Sequence, residues 1–165
     1  MGAGKTSVGQ SLAHFANMDF IDIDAQIEKI AKMPIPHIFE MHGEGHFRYL
    51  EHEVYREMIP SLQNTVISTG GGAVLDERTR TILRENALIV YLTASPATIL
   101  ARIGGSDDRP LLRGSAKIAK IAKISALMLE REDVYRSTCH FAVDTDTLSI
   151  DACAGKVLGL TKRYM

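Results

Sequence analysis

The chain has no tryptophan, and aromatic residues make up only 6% of its 165 positions. A protein that stacks nucleobases along a groove needs more ring faces than that. Its formal net charge is −1, without the basic excess that draws nucleic acid or an acidic membrane surface. The two cysteines, Cys139 and Cys153, form neither a disulfide framework nor a metal-ligand pattern, so a reducing compartment is expected. No apolar run approaches a membrane span, and no signal peptide precedes the first glycine. These absences lead to the expectation of a cytoplasmic protein with no nucleic-acid or membrane partner. What is present, 45% hydrophobic and 24% charged residues, is ordinary globular composition. The length suits one domain over residues 1–165.

Strand-like and helix-like segments alternate. Val8, Leu12 and Phe15 fall at helical spacing behind Lys5. Phe20 to Ile23 reads as a short strand, and Ala25 to Lys32 as a helix broken by Pro34. Pro36 suits the first turn of the next piece, Ile38-Phe39. Gly43 and Gly45 punctuate again, and Phe47, Leu50, Val54 and Met58 then mark one face of a helix ending at Pro60. Thr65 to Ser68 is an apolar strand running into Gly70-Gly71-Gly72. Arg78 to Glu85 is helical. Leu88 to Leu92 is continuously apolar, the pattern of a strand covered on both faces. Pro96 opens a helix, Gly104 to Arg113 is polar, Ala116 to Arg131 is helical, and Phe141 to Val143 is a last strand. Ser149 caps a final helix with Ile150, Cys153, Val157 and Leu158 inward. The alternation predicts an α/β fold with a parallel sheet and helices on both faces.

Chemistry concentrates at a few points. Gly2-Ala3-Gly4-Lys5-Thr6 reads as the second half of a phosphate-binding loop, G-x-x-x-x-G-K-[ST]. Glycines let backbone N–H groups crowd a phosphate, and the helix that follows presents its positive end. Lys5 would reach the β/γ-phosphates and the Thr6 hydroxyl a Mg²⁺. Asp22 and Asp24, two apart at a strand end, would face one crevice. Asp24 also reads as a cap for the helix behind it. Three glycines after a strand imply that something approaches the backbone closely. Arg48 is either a surface arginine or a site residue oriented by Glu51. Arg109 is either a solvated loop charge or an anion ligand.

Taken in order, these segments resemble the shikimate kinases: Gly2 to Thr6, Phe20 to Asp24, Gly45-His46-Phe47-Arg48 with Glu51, Ser68 to Val74, Arg109-Pro110-Leu111-Leu112, and Arg131 with Tyr135-Arg136. The resemblance spans roughly residues 2–146. It implies a three-layer P-loop kinase fold with substrate-binding helices at about 25–60 and a mobile lid at about 105–125. It implies transfer of the ATP γ-phosphoryl group to the 3-hydroxyl of shikimate, by a monomer using Mg²⁺. Gly2, Ala3, Gly4, Lys5, Thr6 and Ser7 would cradle the phosphates, with Arg102 over the adenine. Thr6 and Asp22 would hold the metal. Asp24 would orient the attacking hydroxyl, and Arg48 and Arg136 would clamp the carboxylate. Gly70, Gly71 and Gly72 would meet a substrate hydroxyl. Phe39 and Phe47 would line the ring, and Arg109 would close on the phosphates. Asp133-Val134 stands where the family has Pro-Leu. The first loop glycine and the central strand before it are not in this sequence, so a gap in the sheet is expected. A kinase for another small polyol acid such as gluconate, or a non-catalytic ligand-binding relative, are the competing readings.

Overall fold

The computed structural model describes residues 2–103 and 117–164. Its helices are α1 (Lys5–Ala16), α2 (Ile23–Ala31), α3 (Ile35–Met58), α4 (Glu77–Asn86), α5 (Pro96–Ile103), α6 (Lys117–Thr138) and α7 (Ile150–Thr161). Its strands are β1 (Asp19–Asp22), β2 (Thr65–Ser68), β3 (Val90–Thr93) and β4 (Phe141–Asp144). All pairing is parallel: Asp19 to Asp22 run beside Thr65 to Ser68, and Val90 to Thr93 beside Phe141 to Asp144. The α/β class expected from the alternation is the one observed.

The expected gap is also there. Among the described residues β2 pairs only with β1, and β3 only with β4. Between the two ribbons lies a cavity of about 580 Å³, walled by Val66 and Ile67 of β2, Val90 and Leu92 of β3, and Val8 and Leu12 of α1. The apolar core is accordingly split. One cluster gathers Ile23, Ile27, Ile38, Val54, Tyr55 and Leu83 under the α2–α3 side. A second joins Ala3 to Ala94, Ile99, Leu100 and Ile124. A third joins Val8 to Val143, Cys153, Ala154 and Val157. Ile23 and Ile27 are fully buried, and each contributes about 1.5–3 kcal/mol by leaving water.

Local rules explain most element ends. Pro34 and Pro36 stop α2 and start α3, with Pro34 as the cap residue. The Ser149 hydroxyl accepts from the Ala152 N–H at 3.2 Å and starts α7. Several expectations are corrected. Phe15 is 46% and Ile150 50% exposed, because α1 turns Val8, Gly9 and Ala13 inward and α7 buries Cys153, Ala154 and Val157. Helix α6 runs past Arg131 to Thr138. The first strand ends at Asp22, so Ile23 opens the helix behind it. The cap of that helix is therefore Asp22, which accepts from the Asp24 N–H at 3.0 Å and the Ala25 N–H at 3.4 Å. Asp24 lies in the first turn, where a negative charge also suits the helix dipole.

Candidate active site

The phosphate end forms first. Gly2 and Gly4 have φ of 66° and 86°, left-handed values that cost side-chained residues energy. Gly4 is the cap residue of α1, no side chain caps that helix, and its first turn holds no acid. The leading N–H groups thus face a cleft of about 410 Å³ shared by Gly2, Ala3, Gly4, Lys5, Thr6 and Ser7. This is the arrangement that attracts phosphate. Arg102 stands on the cleft wall. Its Nη1 donates to Thr145 Oγ1 at 2.8 Å and its Nη2 to the Thr145 carbonyl at 2.5 Å. Those two bonds fix the guanidinium plane; nothing in the sequence marked Thr145 as their acceptor.

Next to the loop, the Thr6 hydroxyl donates to Asp22 Oδ2 at 2.8 Å and lies 3.4 Å from Ser68 Oγ. Asp22 thus divides its two oxygens, Oδ1 capping α2 and Oδ2 turned to Thr6. Hydroxyl and carboxylate oxygens are the hard donors that Mg²⁺ prefers, and Mg²⁺ usually keeps several waters. The residues fit that ion. Among the described residues no group of three or more His, Cys, Asp or Glu side chains gathers for a metal.

The glycine run after β2 is where the remaining side chains meet. A Cβ added to Gly70 would lie 2.8 Å from Glu51 Oε1 and 3.0 Å from Asp24 Oδ1. A Cβ added to Gly72 would lie 2.6 Å from both Cζ and Nη2 of Arg48. Side chains from α2 and α3 therefore press directly on bare backbone, which is the physical reason for the glycines. Arg48 Nη1 donates to Glu51 Oε2 at 2.6 Å, and its Nη2 and Nε donate to Glu44 Oε1 at 3.0 and 3.3 Å. The guanidinium also lies 5.1 Å from the centre of the Phe47 ring, which packs 4.8 Å from that of Phe39. Glu51 is 3% exposed with Oε1 unpaired. Burial raises its carboxyl above the usual range, partly opposed by Arg48 and reinforced by Asp24. Asp24, Phe39, Phe47, Arg48 and the three glycines, expected as one site, come together as one.

The opposite wall comes from α6. The Tyr135 hydroxyl donates to the Gly71 carbonyl. Arg136 follows Tyr135 by one residue, about 100° around the helix, and turns away. Its side chain is 62% exposed, with Nε 2.6 Å from Glu132 Oε1. Arg131 precedes Tyr135 by four residues and shares its face. The Nε of Arg131 is buried without a partner, beside Tyr91 and Tyr135 in a small cavity. The i, i+4 spacing from Tyr135 was the sequence signal for Arg131. Arg109 and most of the stretch read as a lid lie outside the described residues; residues 117–125 belong to α6.

Comparison with known proteins points to one family. The shikimate kinase family model matches residues 1–161. The chain is 42% identical over 160 residues to a shikimate kinase of Caldicellulosiruptor saccharolyticus, covering 97% of this chain and 90% of that one. It is 42% identical over 145 residues to the Neisseria gonorrhoeae shikimate kinase, with 88% and 83% covered. Among solved structures, a shikimate kinase from Acinetobacter baumannii in complex with shikimate superposes with a TM-score of 0.92 at 34% identity, covering 99% of this chain and 89% of that one. One from Bacteroides thetaiotaomicron gives 0.89 at 28% identity, covering 98% and 94%. An identity above 40% over nearly the whole chain, with the family model matching residues 1–161, places this protein in the shikimate kinase family.

Proposed function

We infer that this chain transfers the γ-phosphoryl group of ATP to the 3-hydroxyl of shikimate, giving shikimate 3-phosphate and ADP. The observation that carries the reading is the convergence of Asp24, Arg48 and Glu51 on Gly70–Gly72, with Asp24 two residues from Asp22 of the Thr6–Asp22 corner beside the phosphate loop. A hydroxy acid set on those glycines has its carboxylate at Arg48 and a hydroxyl at Asp24. Family membership favours shikimate over gluconate or a non-catalytic role.

Phosphoryl transfer asks the protein for positioning and electrostatics more than for covalent chemistry. Asp24 accepts the proton of the attacking hydroxyl or orients it. Lys5 and the N–H groups of Gly2 to Thr6 neutralise the phosphate oxygens. Thr6 and Asp22 would hold Mg²⁺, which supplies further charge neutralisation at those oxygens. Arg48 binds the substrate carboxylate, and the apolar pair Phe39 and Phe47 lies against the ring. We assign the second carboxylate contact to Arg131 rather than to Arg136, because a buried unpaired Nε on the Tyr135 face needs an acceptor and Arg136 already has one in Glu132. Arg109 would close over the phosphates as part of the lid at about 105–125. The whole chain is read as one domain acting as a cytoplasmic monomer on shikimate and ATP. The net charge of −1 supports the lack of a nucleic-acid or membrane partner. No helix among the described residues is long and apolar enough to cross a membrane.

A coupled ADP-release assay tests the reading. ADP release should require ATP and shikimate together, and Arg48→Ala should weaken shikimate binding about 30-fold or more while nucleotide affinity holds. Turnover of gluconate instead, or equal shikimate affinity in wild type and Arg48→Ala, overturns it.

A further inference from the structure

Three of the five N–H donors of Arg48 are engaged, on two sides of the guanidinium. On one, Nη1 meets Glu51, whose side chain is 4% exposed. On the other, Nη2 and Nε both point at one oxygen of Glu44, whose side chain is 59% exposed. The flat faces are occupied as well, by the Phe47 ring and the Gly72 backbone. A ligand carboxylate binds a guanidinium best side-on, through two parallel N–H donors. The side-on edge of Arg48, Nε with Nη2, is the one now held by Glu44, while Glu51, locked in the core, keeps Nη1.

Glu44 is also placed to leave. It follows Gly43, whose φ of 78° and ψ of 171° interrupt the helical geometry of α3. A Cβ at Gly43 or Gly45 would meet nothing within 4 Å, so the backbone on either side of Glu44 is not wedged against neighbours. An exposed ion pair of this kind is worth at most about fivefold in an equilibrium. A desolvated carboxylate pair at the same edge is worth far more.

We propose that Glu44 is a displaceable surrogate for the substrate carboxylate: it holds the Nη2–Nε edge of Arg48 in the empty site and yields that edge when a carboxylate ligand enters. This rests on Arg48 being the carboxylate clamp. Glu44 then tempers the affinity of the site for acids. A neutral ring lacking the carboxylate gains nothing by displacing it, whereas an acid must outcompete it and pays the corresponding fraction of its affinity.

The test compares wild type, Glu44→Gln and Arg48→Ala, each titrated calorimetrically with shikimate and with its neutral carboxamide, and assayed for turnover. Glu44→Gln should lower the shikimate Kd and KM by about two- to fivefold, leave kcat and the ATP KM within experimental error, and leave carboxamide binding unchanged. A Glu44→Gln protein that binds shikimate tenfold more weakly overturns the proposal, since Glu44 would then be positioning Arg48. Equal shikimate affinity in wild type and Glu44→Gln overturns it too, as does an equal gain for acid and carboxamide. Failure of the clamp reading is separately visible: Arg48→Ala would then bind shikimate as wild type does.

Discussion

Gly72→Ala is the sharpest probe of the site, because it adds one methyl group and touches one functional side chain. The new Cβ would sit 2.6 Å from Arg48 Cζ and Nη2, where ordinary contact begins at 3.4 Å. The guanidinium must therefore retreat by at least 0.8 Å. That is more than the 2.6 Å bond to Glu51 can absorb at good geometry. A displacement of about 1 Å in a positioning group costs about 10²-fold in rate, or about 2.7 kcal/mol of transition-state stabilisation. The fold suffers less, since Arg48 is the end of a flexible chain. A Glu51 left partly unpaired in its buried place costs about 1–3 kcal/mol, and each kcal/mol lowers Tm by about 2–4 °C in a chain of this size. The expected result is a protein that still melts cooperatively, binds ATP like wild type, and shows shikimate kcat/KM down about 100-fold. Shikimate parameters within twofold of wild type, or an equal loss for both substrates, would refute the placement of Arg48 over the glycine run.

Glu51→Gln should separate stability from binding. Burial raises the Glu51 carboxyl in the folded state, so the folded chain holds its proton more tightly and stability falls as pH rises through the folded pKa. The glutamine variant should lack that decline and match or exceed wild-type Tm at neutral pH, yet bind shikimate more weakly for want of the Arg48 partner; a steeper loss of Tm with rising pH in the variant would contradict this. Asp24→Asn should keep Tm and lose most turnover, whereas Asp22→Ala should lose the α2 cap, worth about 1 kcal/mol, together with activity. Thermal melts and the coupled assay, run side by side, distinguish the two acids. Asp76 is held at about 2, first by its hydrogen bond to the Arg78 guanidinium. Its contribution is present above the unfolded value near 3.8 and is lost as pH falls towards 2. The Tm difference between wild type and Asp76→Asn should therefore shrink across that window, and a constant difference would remove the pair.

The elements whose signals are local were legible in the sequence. β2 at Thr65–Ser68, the Pro34–Pro36 break and the Ser149 cap needed only strand propensity, proline geometry and a hydroxyl at the right place. The convergence of Arg48 and Glu51 on the glycine run was legible because these are unusual residues for their elements. What failed depended on the third dimension. Phe15 lies at core spacing, yet α1 rests on its Gly9–Ala13 side. Arg136 carries the charge, but the direction of Tyr135 towards Gly71 settles which arginine of α6 shares the site's face. Thr145 as the anchor of Arg102, and Glu44 on the outer edge of Arg48, are pairings between side chains that no periodicity announces.

Asp22 and Asp24 show how a small error of register carries functional meaning. On a continuous strand, residues two apart face one way, and both acids would have crowded the same ligand atom. The strand ends at Asp22 instead, and α2 begins at Ile23. The change of period swings the second carboxylate away from the first: Asp22 Oδ2 meets Thr6, while Asp24 Oδ1 reaches the Gly70 backbone. One acid thereby faces Thr6 at the start of α1 and the other faces the glycine run. Ile23, buried at 0% exposure between them, anchors the turn that separates the two carboxylates, so a core residue with no polar atom of its own sets which neighbour each acid meets.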